Sequence, residues 1–203
     1  MSNDWKKLDP QESKRLLEKL KQHIEPISFN PENTTIRLQK LPFYKDFKFY
    51  EISDLSTVPG ARKYALSDGK QVYMINWTNG PIYEVNETAP IKLDQNSVRS
   101  YVKFFFTYVR GRHGRFMPIE SLDEIRWQNE PPAQGRKVIQ EMLAPVTVLN
   151  QDSDGTFNLE AYMLFKDSLF RTLIHVAPDG NVAMSDEELK IEGMPVIQDV
   201  MMA

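Results

Sequence analysis

The chain of 203 residues contains no cysteine, and this absence removes several kinds of chemistry at once. Disulfide bonds, thiolate metal sites and a cysteine nucleophile are all excluded. The N-terminal segment carries Asp4 where a secretory signal has basic residues, and no apolar stretch follows it. A chain without cysteine and without such a signal fits a reducing compartment. We therefore expect a soluble cytoplasmic protein.

Histidine is scarce too, because the chain has only His23, His113 and His175, far apart in the sequence. No two of them have the spacing of a His-X-X-His metal site, and the glycine motifs that bind phosphates and the Gly-X-Ser-X-Gly motif are absent. His175 falls in a predicted strand, where a structural role is expected. Asp152–Gly155 resembles the start of a calcium loop but lacks its later ligands, so we interpret it as a turn. The sequence predicts no metal and no cofactor, and it favours a protein without catalytic activity.

Long apolar runs and a large charge imbalance are also missing. No stretch approaches the roughly 20 apolar residues of a membrane-spanning helix, so we expect no membrane contact. The 25 Lys+Arg and 28 Asp+Glu give a formal net charge of −3, which disfavours a general nucleic-acid binder but permits a local basic patch. Aromatic residues are plentiful, with eleven Phe, eight Tyr and three Trp, enough to build a sizeable core.

The first 35 residues are interpreted as an amphipathic helical arm and a linker, followed by one α+β domain over residues 36–203. Asp9 is the predicted N-cap of a helix over residues 9–25, with Pro10 in its first turn and Glu12 completing a capping box. The apolar stripe of this helix consists of Leu16, Leu17, Leu20 and Ile24. Such a stripe either docks on a partner or packs on the helix's own domain, and both alternatives stay open here.

In two stretches of the chain, apolar and polar residues alternate as they do in antiparallel strands. In the first, residues 36–93, Ser67–Lys70 predicts a hairpin turn, and Asn79–Pro81 predicts a second turn before a strand over residues 82–85. In the second, residues 146–192, strands are separated by the turns at Asp152–Gly155 and Pro178–Gly180.

Between these stretches, residues 94–110 predict a long helix. Asp94 is its expected cap, and Gly111 is its expected terminating residue. Apolar residues leave only a thin polar stripe, so we expect a sheet to wrap this helix. The predicted fold class is α+β, with antiparallel β-meanders packed around a long buried central helix and an N-terminal surface helix. A cystatin-like or NTF2-like cone is one such arrangement, and two smaller sheets sharing the helix is the other.

The strongest candidate site lies where the predicted central helix ends. Its basic residues are Lys103, Arg110, Arg112, His113 and Arg115. Glycines 111 and 114 permit sharp turns, and arginine forks suit carboxylates and phosphates, which predicts a site for a small anion or an acidic protein partner. The alternative is that these cations interact only with the helix dipole and the last helical carbonyls.

A second candidate site is an aromatic-lined pocket formed by Tyr73, Trp77 and Tyr83. Aromatic rings beside amides can line a ligand pocket, whereas the competing interpretation is that they fill the core. This site supports the alternative function of a small enzyme or ligand-binding protein.

Several segments resemble a signature of uncharacterised bacterial proteins of about this size. They are Ile82–Asn86, Ala89–Ile91, Tyr101–Phe106, Val109–Gly111 and Gly114–Phe116. The most specific part is the aromatic helix running into Val-Arg-Gly, followed by Gly-Arg-Phe. The resemblance implies a bacterial origin and a single α+β unit, and it implies no activity.

Taken together, the residues predict a soluble bacterial cytoplasmic binding or adaptor protein that contacts an acidic surface or a small anion through the basic segment. Self-association is a further alternative, because acidic residues dominate from Asp179 onward while residues 99–115 are basic.

Overall fold

The computed structural model describes residues 5–24, 29–56 and 58–197 and shows an α+β protein with two antiparallel sheets and four α-helices. The predicted fold class is confirmed at this level, and both sheets are open. The chain divides into two compact units. The first comprises the residues up to 76 together with residues 80–92, and the second comprises residues 77–79 together with those from 93 onward. The cone, the wrapping of a sheet around one central helix and the boundary at residue 35 stay predictions.

The first unit is built on a five-stranded sheet whose strands follow one another in chain order. The strands are β1 (Lys6–Lys7), β2 (Thr34–Lys40), β3 (Lys48–Asp54), β4 (Ala61–Ser67) and β5 (Val72–Met74). Two helices, α1 (Pro10–Ile24) and α2 (Gly80–Thr88), belong to the same unit.

Helix α1 begins where its capping residues predict and packs on this sheet. The carboxylate Oδ1 of Asp9 accepts the backbone N–H groups of Gln11 at 2.8 Å and Glu12 at 2.9 Å, which confirms the predicted N-cap. Leu17 and Leu20 are buried in one core cluster with residues of β2 and β3. Leu16, Leu17 and Leu20 of the apolar stripe therefore pack within the helix's own unit, as the second alternative expected.

The strand predicted over residues 82–85 is wrong, because these residues lie in helix α2. Gly80 and Pro81 were interpreted as a turn, but they form the first residues of the helix, where proline's fixed φ and missing N–H cost nothing. Ile82, Val85 and Asn86 are buried at helical spacing. The apolar residues of so short a segment fit the repeat of a helix and the alternation of a strand equally well when the segment is taken alone.

The second unit contains five strands, β6 (Phe116–Pro118), β7 (Thr147–Gln151), β8 (Phe157–Phe165), β9 (Ser168–Val176) and β10 (Val182–Ile191). They form a sheet in the order β10-β9-β8-β6, in which β7 also pairs with β8. Helices α3 (Ser97–Tyr108) and α4 (Ala133–Met142) and a 3₁₀ turn at Leu122–Glu124 complete the unit.

Helix α3 is the apolar helix of the sequence, and most of its twelve residues are buried. Asp94 accepts the backbone N–H groups of Asn96 and Ser97. The helix begins at Ser97, however, and its N-cap is Asn96, so Asp94 lies two residues before the capping position that was predicted for it. The predicted terminating residue is wrong, because the helix ends at Tyr108 and the chain is already extended at Val109. Gly111 pairs instead with Gly114 in an isolated β-bridge.

The turn at Asp152–Gly155 is confirmed between β7 and β8, since Asp152 accepts the N–H of Gly155 at 2.9 Å. The apolar C-terminal segment packs on its own unit as far as the structure describes it. Met194 and Val196 share a core cluster with residues of β8 and β9, whereas Val200 to Met202 lie outside the described residues. None of the helices in the described part of the chain is long and apolar enough to cross a membrane.

Replacing Leu20 by alanine should lower the free energy of unfolding by about 2–5 kcal/mol, because it opens a cavity under a fully buried side chain. Urea titration followed by circular dichroism measures this change. The matched control is Leu55→Ala, where the side chain is 67% exposed and the expected change stays within about 0.5 kcal/mol. Equal, small effects of the two variants would contradict the packing of α1 on the sheet.

Candidate functional site

Residues 110–115 form a tight basic hairpin immediately after helix α3. Its two glycines pair across the turn, and the N–H of Gly114 donates to the carbonyl of Gly111 at 3.2 Å. Arg112 and His113 form the tip, and both are exposed. Neither has a salt-bridge partner among the described residues. The hairpin thus presents two cationic or titratable side chains to the solvent.

The first arginine of the basic hairpin is held by an aromatic residue from another part of the chain. The N–H of Arg110 donates to the carbonyl of Trp77 at 2.8 Å, and its guanidinium carbon lies 4.4 Å from the centre of the Trp77 ring. The same indole stacks on Tyr108, with ring centres 6.4 Å apart. Trp77 remains 37% exposed, so the structure places a partly exposed indole beside the basic hairpin.

The residues at the C-terminal end of the basic hairpin contact helix α3 and the sheet of the second unit. Arg115 donates to the carbonyl of Thr107 at 3.3 Å and contacts the sulfur of Met117 at 2.9 Å. Phe116 stacks on Phe165 of β8, with ring centres 4.3 Å apart. Gly114 has φ of +139°, and a Cβ there would lie 3.1 Å from the Phe165 ring, so both its backbone conformation and this close contact favour glycine.

The structure adds one cation that sequence reasoning missed. Lys166, in the turn between β8 and β9, is exposed, and its ammonium lies 5.3 Å from the centre of the Phe165 ring. Phe165 in turn stacks on Phe116 at the end of the basic hairpin. Only the pairing of β6 with β8 brings these residues together, so no local pattern in the sequence signals it.

Lys103, which was predicted to support the site, forms a salt bridge with Glu120. The other oxygen of that carboxylate accepts the N–H of Val146 at 2.9 Å. Burial alone would raise the pKa of Glu120, but the hydrogen bonds from Lys103 and Val146 and the charge of Lys103 together lower it. Through Glu120, Lys103 therefore connects helix α3 to the segment after β6 and to the residue before β7.

The three aromatic residues predicted to line a pocket lie in different units. Tyr73 and Tyr83 belong to the first unit and Trp77 to the second. The Tyr73 hydroxyl lies 3.0 Å from the Thr88 hydroxyl, and its ring lies 5.9 Å from that of Phe47. Tyr83 is half-buried on α2. A pocket formed by the three rings stays a prediction.

A chain of polar side chains on the second sheet was not predicted as a site. His175 Nδ1 lies 2.6 Å from Asn158 Oδ1, and His175 Nε2 lies 2.8 Å from the Ser185 hydroxyl. Asn158 donates from Nδ2 to Asp152 at 2.9 Å, and Ser185 donates to Asp186 at 3.0 Å. Strand alternation places Asn158, His175 and Ser185 on a single face, but only the register between β8, β9 and β10 brings them into contact.

No group of three His, Asp or Glu side chains suited to a metal ion occurs among the described residues. Comparisons with models of known protein families, with curated proteins and with solved structures find no match for this chain. The bacterial origin implied by the resemblance therefore stays an expectation.

Replacing Glu120 by glutamine should lower the free energy of unfolding at pH 7 by about 1–3 kcal/mol, because Lys103 loses a charged partner. The folded pKa of Glu120 lies below its ordinary value of 4.5. The ionised carboxylate therefore stabilises the folded protein above pH 4.5. This contribution to the free energy of unfolding is lost as the pH falls through the lowered pKa. Urea titrations at several pH values should show the two proteins converging below pH 4.5.

Glu130→Gln is the control for this experiment, because Glu130 forms an exposed ion pair with Arg136 at 3.1 Å. Such pairs contribute little, so we expect a change of less than about 0.5 kcal/mol. A Glu120→Gln protein as stable as this control at pH 7 would contradict the assigned role.

Proposed function

We propose that the protein is a binding or adaptor protein and that the basic hairpin, together with Trp77, docks on an acidic surface of a protein partner. The observation that carries this proposal is the exposure of Arg112 and His113 at the tip, with no salt bridge among the described residues. Lys166 adds a further exposed cation beside the hairpin. Cations in such an arrangement attract an acidic partner and guide its association.

A protein surface fits this geometry better than a small anion, which is the alternative ligand. Small ligands bind in concave sites that enclose most of their surface, whereas residues 111–113 are all exposed. Arginine and tryptophan are the residues that most often dominate binding energy at protein interfaces. Arg110 and Trp77 meet this description, because the guanidinium already lies against the half-exposed indole.

The proposal places the protein in the bacterial cytoplasm and assigns no catalysis to the basic hairpin. The cysteine-free chain supports the location. A general base needs a second group to orient it, and no contact of that kind is made by His113 within the described residues.

The double variant Arg112→Glu, His113→Glu should lose the partner. Tagged protein is used to capture proteins from lysate of the source cells at low and at high salt, and recovery is quantified by mass spectrometry. We expect a partner with an acidic surface that is recovered at low salt, weakened at high salt, and reduced at least about tenfold by the double variant.

Arg99→Glu is the matched control, because Arg99 is exposed on α3 but lies outside the basic hairpin. Its recovery of the partner should equal that of the wild type. A partner retained by the double variant, or lost equally with Arg99→Glu, would contradict the proposed surface, and a partner insensitive to salt would contradict its charged character.

Trp77→Gly should weaken the same complex by a similar factor while the basic residues remain. Trp77 has φ of +69°, a conformation that glycine adopts without strain, so any loss of binding reports on the indole and not on the backbone. Titration of the captured partner onto the purified variant measures the change in Kd. An unchanged Kd would remove Trp77 from the interface and leave a purely electrostatic contact.

A further inference from the structure

The polar chain on the second sheet has the arrangement of an activated serine. Ser185 on β10, His175 on β9 and Asn158 on β8 lie on neighbouring strands, with contacts of 2.8 Å and 2.6 Å on the two sides of the imidazole. A nucleophile within hydrogen-bond distance of a base, which is itself oriented by a third group, is the geometry required for covalent catalysis. We propose that Ser185 is a nucleophile that accepts the acyl group of carboxylic esters, with His175 as its general base.

The strand pairing holds the three side chains in place. Asn158 lies directly opposite His175, and His175 lies opposite Ala183, two residues from Ser185. Neighbours at these positions on one face of a sheet are within side-chain reach. All three side chains are half-buried, so they are restrained yet accessible. Sites built on paired strands keep their geometry better than sites built on loops.

The hydrogen bonds also determine the tautomer of His175, and therefore whether the nitrogen next to the serine can act as a base. Asn158 donates from Nδ2 to Asp152, which leaves its Oδ1 facing His175. An amide oxygen only accepts, so His175 Nδ1 carries a proton. In the neutral ring Nε2 is then the basic nitrogen, and it lies 2.8 Å from the Ser185 hydroxyl. Asn158 therefore fixes the tautomer that a base requires.

Charged groups around the serine restrict the class of ester. Asp152 and Asp186 lie at the two ends of the polar chain, and Asp186 competes with His175 for the hydroxyl proton. Farther along the same face, Arg171 is occupied by Glu160 and Glu188. Two nearby carboxylates repel an anionic acyl group, so the expected substrates are neutral or cationic esters.

The reaction proceeds in two balanced steps. Ser185 Oγ forms a bond to the ester carbonyl carbon while its proton passes to His175 Nε2. That proton then moves to the departing alkoxide, which leaves as an alcohol. In the second step water attacks the acyl-serine, gives a proton to Nε2, and releases the carboxylic acid as that proton returns to Oγ.

A fluorophosphonate probe tests the nucleophile, because it reacts with base-activated serines. Folded wild-type protein is incubated with the probe, and the labelled peptide is identified by mass spectrometry. We expect label on Ser185 and none on Ser153, an exposed turn serine that serves as internal control. Ser185→Ala should lose the label, and His175→Gln should slow it about 100-fold.

Hydrolysis of p-nitrophenyl acetate gives a second measurement on the same proteins. We expect the wild type to be fastest, His175→Gln to be slower and Ser185→Ala to be inactive. Asn158→Ala keeps both reacting groups and should slow labelling by about tenfold or more through loss of orientation. The proposal is overturned if folded wild-type protein carries no label on Ser185, or if the label forms equally fast in His175→Gln. Neither result depends on the basic hairpin, so the two proposals fail independently.

Discussion

The pairing of strand β8 on both of its edges is the constraint on which the second unit depends. One edge pairs with β9 along the whole strand, from Phe157 with Val176 to Phe165 with Ser168. The other edge is divided, with β7 along its first half and β6 along its last three residues. A shift of one residue would turn every side chain of the strand to the opposite face, and the buried positions of β8 prevent it.

The two proposed sites of this unit lie at the two ends of that strand. At its C-terminal end, Phe165 contacts Phe116 and Lys166 and leaves little room for a side chain at position 114. At its N-terminal end, Asn158 meets His175. The basic hairpin is thereby fixed at its base while its tip remains exposed. This combination suits recognition, because less conformational freedom is lost when a partner binds a surface that is already ordered.

Sequence reasoning succeeded where the signal is local. The cap at Asp9 and the turn at Asp152–Gly155 follow from residues a few positions apart, and the structure has both. It failed at residues 82–85, where a short apolar segment fits a strand or a helix equally well, and at Gly111, because the chain leaves helix α3 earlier. The sequence predicts the cations of the basic hairpin, but the contacts that fix them come from distant segments. The positions of Lys166 and of the partners of His175 depend on strand register, which no single segment encodes. The partners of Glu120 come from helix α3 and from the residue before β7, which are distant in sequence.

The imidazole of His175 shows why one observation supports either a structural or a chemical role. A half-buried polar ring needs partners for both nitrogens, and Asn158 and Ser185 satisfy that need whether or not a reaction takes place. An irregularity of the strand lies directly beside the serine. Strand β10 breaks register directly after Ser185, and Asp186 adopts φ of +53°, a conformation that costs free energy in any residue with a side chain. Bulges of this kind reorient side chains and are frequent beside active sites. Here the bulge brings a carboxylate to the hydroxyl that already faces a base, so the backbone strain lies at the point where proton position decides reactivity.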